Sequence, residues 1–358
     1  MDRQRNWLIE AFRFLAAAFI VLFHFEWLYL GFPVYMGHEY IWVEFFFCLS
    51  GYFLAKSQMR HPGREPVPYV ISRLKKLYPL FAMSFVLNFV LICYNNHYQF
   101  SDALLRLWSS KWELLLLNMS GFALPSTSDV IYGGAPEYIS ALLMASLILC
   151  WLISRHEKLY FNVLAPLLVL AFYTRILVLT GNLSQWNYVD QFYTLGFLRA
   201  IAGMSLGALS CFWLRPLLDG TKRQMGPAVP FLKGGFLLFS LFMICGLIKF
   251  PSIISGGDLV FYVLLFAALL AVCDTLPVGG GGGIRPVAER AVLRLGKLSY
   301  PMFLIHTFII NLFMTYAPGQ GGRWTYVWVL VCSMLAAAAM LLLEKGLGRL
   351  FRGLPRAV

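Results

Sequence analysis

The chain has 358 residues, of which 59% are hydrophobic and only 13% are charged, and its mean hydropathy is +0.70. A water-soluble domain of this length needs a charged exterior, so the composition excludes an ordinary soluble protein. The net charge of +12 is spread over several loops, which favours membrane orientation over nucleic-acid binding.

Apolar segments of membrane-spanning length divide the chain. A helix crosses a bilayer with about 17 to 25 apolar residues. Ten segments meet this requirement: 10–30, 40–57, 77–94, 136–154, 161–180, 194–213, 234–250, 258–276, 299–316 and 325–343. They predict an all-α, polytopic integral membrane protein with about ten transmembrane helices. The apolar stretch 112–124 is short for a span, and its predicted form is re-entrant or interfacial, with a true span as the alternative.

The lysines and arginines predict the orientation of these helices. If the N-terminus is cytoplasmic, 22 of the 29 cations fall in cytoplasmic segments and only Arg106, Lys111 and Arg323 fall outside. Lys and Arg accumulate in cytoplasmic loops, so this distribution predicts that both termini are cytoplasmic.

The first span, "RFLAAAFIVLFHF", carries Arg13 at one end and His24 near the other. In an α-helix the eleven steps between them turn through about 1100°, three turns plus roughly 20°, and rise roughly 16 Å. Both polar groups are therefore expected on one face of the helix, about half a bilayer apart.

Further polar residues lie within predicted spans, namely Glu44, Arg199 and His306. A charged side chain inside a bilayer costs at least about 2.5 to 3.5 kcal/mol. A single membrane histidine is as often a hydrogen-bonded packing residue as a site residue. These three groups, together with Arg13 and His24 of the first span, favour a shared polar cavity.

The residue types in this predicted cavity indicate a chemistry. A neutral imidazole is a competent general base near pH 7, and Glu44 could fix the tautomer of His24 and stabilise its imidazolium. The cluster "SRLKKLYP", residues 72–79 at the cytoplasmic mouth, suits a phosphate-rich ligand. Together they predict a phosphorylated donor that enters from the cytoplasm.

Several segments resemble one family in order along the chain. Arg13 and His24 form an R-x10-H pattern, "FFFCLSGYFLA" resembles FF-x-x-SG-[FY], and "RLKKLYP" resembles R-x-x-R-[IL]-Y-P. "YISALLMASLI" resembles the mid-chain signature Y-L-S-A-L-L, and "LGKLSYPMFLIH" resembles LG-x-x-SY-x-x-[YF]-L-x-H. With the predicted topology, these motifs resemble acyltransferase family three, the ten-span membrane O-acyltransferases, over roughly residues 7–343.

The resemblance implies transfer of an acyl group, usually acetyl, from cytoplasmic acyl-CoA to a hydroxyl of an extracytoplasmic or lipid-linked glycan. It implies that His24 is the catalytic histidine, Arg13 its paired cation, and Arg73 a member of the donor-binding cluster. Lys76 stands where the family more often has Arg, so a point charge is kept but a bidentate contact is lost. We assign Arg199 to the same donor-binding group.

Three other residues are predicted to line the cavity, each with an alternative. Ser50, with Gly51, is a packing residue or a catalytic hydroxyl. Tyr300 belongs to the aromatic belt at the membrane interface or to the site. His306 is a packing residue or a second site histidine. The mid-chain signature reads "APEYISALL" where the family usually opens with Trp, which leaves the acceptor side open.

The expected protein is a single membrane domain over residues 1–358, with no fused soluble domain, in the bacterial inner membrane. Its co-substrate is acyl-CoA, its partners are membrane lipid and a glycan acceptor, and no metal is expected because the seven cysteines lie in apolar runs without close pairs. Direct transfer and an acyl-histidine intermediate remain open. The alternative function is a transporter or flippase for a glycan or lipid, although no internal repeat is evident.

Overall fold

The computed structural model describes residues 6–117, 130–131, 135–184, 188–190, 193–225, 228–250, 253–276, 285–318 and 322–353. These residues are almost entirely helical, as predicted. The α-helices are α1 (Trp7–Phe25), α2 (Trp42–Arg60), α3 (Pro66–Asn95), α4 (Phe100–Ser109), α5 (Lys111–Leu114), α6 (Ala135–Leu159), α7 (Ala165–Thr180), α8 (Leu195–Leu209), α9 (Arg215–Met225), α10 (Ala228–Lys249), α11 (Gly256–Thr275), α12 (Arg285–Tyr316) and α13 (Arg323–Gly353).

Shorter elements join these helices. π-Helical turns at Glu26–Leu30, Tyr160–Leu164 and Ser210–Leu214 extend α1 and connect α6 to α7 and α8 to α9, and a 3-10 turn at Glu39–Ile41 leads into α2. Among the described residues, the only strands are the antiparallel pair β1 (Val189–Asp190) and β2 (Tyr193–Thr194).

Eight helical segments of the described chain are long and apolar enough to cross a membrane, which makes this a multi-pass membrane protein. One of them, Ala135–Thr180, has 46 residues and would be about 69 Å long as one straight helix, twice the thickness of a bilayer core. Its backbone leaves helical geometry at His156, so α6 and α7 serve as separate crossings. The eight segments fall on predicted spans, with α6 and α7 in one segment, and the predicted span 40–57 falls on the 19-residue α2, which is not among the eight.

Contacts between helix ends show which ends lie together. The Asn6 amide before α1 donates to the Cys273 carbonyl at the end of α11, and Arg155 of α6 pairs with Glu65 before α3. At the opposite end, Asn95 of α3 bonds Thr315 of α12. These contacts agree with the alternating directions that the charge pattern predicts for α1, α3, α6, α11 and α12. We call the end that carries Asn6 the inner end.

Glycines allow α2 and α8 to pack with their backbones in contact. A Cβ on Gly51 would lie 1.8 Å from the Met204 carbonyl oxygen, and one on Gly207 would lie 1.9 Å from the Cys48 carbonyl oxygen. No larger residue fits at either position, because small residues are what permit helices to approach this closely in a membrane. Gly51 of the "LSG" motif is thus a packing residue, and the close contact brings α2 and α8 side chains together.

A third glycine joins α12 to α1. A Cβ on Gly296 would lie 2.3 Å from Glu10 Oε2, so the absence of a side chain leaves room for the Glu10 carboxylate. Gly296 belongs to the "LGKLSYP" motif, whose glycine therefore has a steric explanation. The same contact between helices places His306 of α12 beside His24 of α1.

Buried carboxylates organise the outer connections. Glu26, fully buried, accepts hydrogen bonds from the Val34 and Met36 backbone amides and from the Tyr326 hydroxyl. Glu113 of α5 accepts from the backbone amides of residues 130 and 131. Of the predicted re-entrant stretch 112–124, α5 ends at Leu114 and residues 118–124 lie outside the described residues, so that prediction stays a prediction.

Candidate active site

An inner cavity of about 330 Å³ opens between α1, α2, α3, α6 and α12. It contains five of the residues predicted from sequence. They are Arg13, Ser50, Arg73, Lys76 and Tyr300. The rest of its lining is mostly apolar, so a ligand here would meet cationic groups on an apolar wall.

Arg13 is held by a carboxylate that sequence reasoning did not single out. Its Nη1 lies 3.0 Å from both carboxylate oxygens of Glu10, one helical turn earlier on α1. Spacing of three residues puts the two side chains on one face of a helix, so the pair could have been found from the sequence. Arg13 keeps a quarter of its side chain exposed, which leaves part of the guanidinium accessible.

A basic mouth of about 400 Å³ adjoins the inner cavity at the inner end and shares Phe53, Arg73 and Lys76 with it. The Tyr69 ring there lies between two guanidinium groups, with Arg64 4.9 Å and Arg73 5.3 Å from the ring centroid. Further cations on its wall are Lys56, Arg60 and Arg64.

One carboxylate of the basic mouth is already engaged. Asp274 of α11 accepts from Lys56 Nζ at 2.5 Å and from the Tyr52 hydroxyl at 2.9 Å, and it forms an ion pair with Arg215, whose Nε lies 2.9 Å from the carboxylate. The contact locks α2, α9 and α11 together at the inner end. The cations on the wall of the basic mouth that Asp274 does not pair are Arg60, Arg64, and Arg73 and Lys76 of α3.

Side chains of α6 and α12 separate the inner cavity from an outer cavity of about 110 Å³. Its polar lining residues include His24, Tyr40, Glu137, Ser184 and Arg199. Of these, Glu137 was noted in the sequence only as a departure from the mid-chain signature. The outer cavity therefore gathers polar groups from α1, the segment before α2, α6, and the α7–α8 connection with α8.

Two aromatic side chains separate the inner and outer cavities. Tyr138 and Phe303 line both, and their rings meet edge to face with centroids 5.5 Å apart. The Tyr138 side chain is hydrogen-bonded to Ser50. This places Ser50 at the partition, and a hydroxyl there can orient Tyr138, a role sequence reasoning did not foresee.

His24 makes its hydrogen bonds through one nitrogen. Its Nδ1 lies 3.0 Å from the Ile20 carbonyl oxygen and 3.1 Å from Nε2 of His306. Its Nε2 has no hydrogen-bond partner among the described residues, and His24 lines the outer cavity. The structure thus leaves Nε2 of His24 available to a ligand.

Glu44 does not contact His24, contrary to the predicted partnership. The carboxylate is fully buried between α2, α7 and α8, where one oxygen accepts from Arg199 Nε at 2.6 Å and the other from the Tyr173 hydroxyl at 2.6 Å. Gly203 makes room for this arrangement, since a Cβ there would lie 3.0 Å from Glu44 Oε2. Buried charges must be paired, and the nearest cation available to Glu44 is on α8 rather than α1.

Arg199 also differs from its predicted place. We assigned it to the donor-binding group, but it lines the outer cavity, while Arg73 and Lys76 line the inner one. Arg199 lies near the start of α8, next to the α7–α8 connection that lines the outer cavity, whereas Arg73 and Lys76 lie near the inner start of α3. Arg199 is 3% exposed and its Nη2 is buried without a partner in the described part of the chain.

No cluster of three or more His, Cys, Asp or Glu side chains suited to a metal ion occurs among the described residues. All seven cysteines are free thiols. The groups present are an imidazole, hydroxyls, guanidiniums and an ammonium, which suit proton transfer and anion binding.

The comparisons with known proteins agree with this composition of the site. The model of a family described as the acyltransferase domain matches residues 6–343. The chain belongs to acyltransferase family three. Membrane acyl transfer is thus the activity of its family, and the motif residues quoted above fall within the matched range.

A shorter part of this chain is similar in sequence to a curated protein. Over 79 residues the chain is 42% identical to a protein of Komagataeibacter xylinus provisionally named membrane-bound transacylase BcsY. The match covers 22% of this chain and 18% of the relative, so the chain spans less than a fifth of that protein. No solved structure matches the chain.

Proposed function

We propose that this protein is an O-acyltransferase of the bacterial inner membrane that moves an acyl group, in the simplest case acetyl, from cytoplasmic acyl-CoA to a hydroxyl of a cell-envelope glycan. The observation that carries the proposal is the pair of cavities on either side of Tyr138 and Phe303. The cavity at the inner end is cationic, and the cavity beyond the partition holds His24. Two substrates can therefore approach one imidazole from opposite ends of the bundle.

The inner cavity and the basic mouth suit the donor. CoA carries several phosphates, and Arg73 and Lys76 face both volumes. Guanidinium groups bind phosphate through charge-assisted hydrogen bonds. The long pantetheine arm would lie along the apolar wall of the inner cavity, with Arg13 beside it, and its thioester would reach the partition.

The outer cavity suits the acceptor hydroxyl. Its polar groups can orient a hydroxyl by hydrogen bonds, and its volume holds only a small portion of a glycan beside His24. In direct transfer, Nε2 of His24 takes the hydroxyl proton while the oxygen attacks the thioester carbonyl carbon. The C–S bond then breaks, and the CoA thiolate takes the proton from the imidazolium. In the alternative route Nε2 itself attacks the thioester carbonyl carbon, the C–S bond breaks and CoA leaves as the thiolate. The glycan hydroxyl oxygen then attacks the acyl carbon, the N–acyl bond breaks, and the hydroxyl proton neutralises the thiolate.

Transport without chemistry is the competing function. The partition formed by Tyr138 and Phe303 and the separate chemistries of the two cavities favour transfer of a small group rather than passage of a whole glycan. A carrier would need a volume that admits the glycan at both ends in turn.

The deciding experiment uses purified protein in proteoliposomes with acetyl-labelled CoA outside the inner end and envelope glycans on the other side. We expect labelled glycan from the wild type, none from His24→Gln, and normal labelling from His156→Gln, a matched control at an exposed position. Movement of glycan without labelling would establish a carrier instead.

Sidedness is tested separately by labelling introduced cysteines with an impermeant thiol reagent. In a cysteine-free variant, Ser57→Cys at the inner end and Ser184→Cys in the outer cavity should react from opposite sides of the membrane. Labelling of both from one side would contradict the proposed entry routes.

A further inference from the structure

Two histidines from distant parts of the chain meet inside the bundle. His306 of α12 is fully buried, and its Nε2 lies 3.1 Å from Nδ1 of His24, 282 residues away. The ring centroids are 4.9 Å apart with 37° between the ring planes, so the contact joins nitrogen edges and is not a parallel stack. Each histidine also faces a backbone carbonyl, Ile20 for His24 and Phe303 for His306.

The three contacts together decide the tautomers. A carbonyl oxygen accepts and never donates, so Nδ1 of His306, 2.8 Å from the Phe303 oxygen, must carry a proton. In a neutral imidazole the other nitrogen, Nε2 of His306, is then an acceptor. Nδ1 of His24 is consequently the donor, and it shares its proton between the Ile20 oxygen and His306 Nε2.

The opposite arrangement leaves repulsive contacts. If His306 Nε2 donated to His24, then a neutral His306 would turn the lone pair of Nδ1 toward the Phe303 oxygen. The lone pair of His24 Nδ1 would likewise face the Ile20 oxygen. Buried groups whose hydrogen bonds are not made are costly, and this arrangement leaves two such contacts, so it is disfavoured.

We propose that His306 is a positioning residue that holds His24 as the Nδ1–H tautomer and so leaves the lone pair on Nε2, the nitrogen that no other described residue contacts by a hydrogen bond. When Nε2 takes a proton, the Nδ1–H bond to His306 remains and stabilises the imidazolium. This inference deepens the proposed function and rests on it, since it names the atom that acts as base or nucleophile. It gives His306 the role that sequence reasoning had given to Glu44.

A neutral partner has a physical advantage at this depth. A carboxylate beside His24 would bring an uncompensated charge into the spans when the imidazole is neutral, at a cost of several kcal/mol. Glu44 avoids that cost by pairing with Arg199. His306 orients the ring through a hydrogen bond and adds no charge to the resting site.

The first test reads the tautomer directly. Protein labelled with ¹⁵N-histidine has six histidines, and spectra of His24→Gln and His306→Gln assign the two signals. We expect the wild type to show His24 protonated at Nδ1 with a lone pair on Nε2. Protonation of neutral His24 at Nε2 would overturn the proposal, whether or not an acyl-transfer assay has been established.

The second test compares variants of α12. His306→Leu removes the acceptor and should lower kcat about 10- to 100-fold, the usual loss when the partner that orients a functional imidazole is removed, with the KM for acetyl-CoA unchanged. His306→Gln keeps an acceptor and should recover most of kcat. Thr307→Val, next on the helix and also buried, is the matched control and should retain wild-type kcat.

These outcomes separate the two proposals. A wild-type kcat in folded His306→Leu overturns the role of His306 and leaves the proposed function intact. Full acyl-transfer activity of His24→Gln overturns the role of His24 as base or nucleophile, and with it the role of His306, whereas glycan movement without labelling overturns the proposed function. If His306→Leu fails to fold, the spectra of the wild type and of His306→Gln carry the test.

Discussion

The inner and outer cavities differ in how their cations are balanced. In the inner cavity, Arg73 and Lys76 have no ion-pair partner among the described residues, and both face the open volume. In the outer cavity, the guanidinium of Arg199 is matched by the buried carboxylate of Glu44 at 2.6 Å. Unpaired cations give a cavity a positive potential that attracts an anionic ligand. A cavity whose guanidinium is already paired with a carboxylate suits an uncharged group such as a hydroxyl.

The arginines of the two cavities therefore have different roles, although they look alike in the sequence. An arginine at the inner end needs no carboxylate partner, because water or a ligand can solvate its charge at little cost in free energy. An arginine deep in the bundle must keep its partner, because an unpaired charge there is expensive. Variants at the two cavities should therefore fail in different ways.

The largest effect should come from the reacting nitrogen in the outer cavity. His24→Gln keeps hydrogen-bonding capacity but supplies no base, so kcat should fall by about 10²- to 10⁴-fold. The dissociation constant of acetyl-CoA should change little, because in the proposed function the donor phosphates bind at the inner cavity and the basic mouth. Steady-state kinetics measure kcat, and isothermal titration measures the dissociation constant of CoA. An active His24→Gln variant would mean that His24 is not the base, and His306 would be the next residue to test.

The Glu44–Arg199 pair should matter first for stability. Glu44→Leu leaves the guanidinium of Arg199 buried without its carboxylate, which should destabilise the fold by about 3 to 5 kcal/mol. Adding Arg199→Met should recover much of that loss. The ten tryptophans allow thermal unfolding to be followed by intrinsic fluorescence in detergent.

A second substitution of Glu44 tests whether its carboxylate pairs with Arg199 or acts on His24. A Glu44→Gln variant that unfolds at a lower temperature than the wild type but retains kcat at low temperature agrees with a pairing role. Loss of kcat with an unchanged unfolding temperature would instead restore Glu44 as a partner of the catalytic imidazole.

In the inner cavity, Arg73→Ala should raise the KM for acetyl-CoA about tenfold, the effect of losing a charge-assisted hydrogen bond worth about 1.5 kcal/mol, with kcat nearly unchanged. Lys75→Ala is the matched control, since Lys75 is exposed in the same cluster but lines neither the inner cavity nor the basic mouth. Equal effects of the two substitutions would mean that the cluster acts only as a diffuse positive field.

The smallest expected effect is an improvement. Lys76→Arg restores the planar fork that the family more often has, and the KM for acetyl-CoA should fall by less than about fivefold, because exposed ion pairs contribute at most about 1 kcal/mol. The change should disappear at high salt, where exposed charges are screened. An increased KM would indicate that Lys76 meets its ligand as a compact ammonium.

Local features of the sequence determined the fold class, the multi-pass membrane architecture and the helical spacing of Arg13 and His24. Helical periodicity and the bilayer thickness are fixed physical quantities, so apolar length and charge position predict helices and their direction without knowledge of neighbours. The Glu10–Arg13 pair was equally within reach, because three residues separate its members on one helix.

Tertiary packing decided which polar groups meet. Glu44 and Arg199 are 155 residues apart, and they pair because Gly51 and Gly207 let α2 and α8 touch. His24 and His306 meet through the contact between α1 and α12, which includes Gly296. Spacing along one helix says which residues share a face, but only the packing of helices selects the partner opposite that face, and here it gave His24 an imidazole instead of a carboxylate.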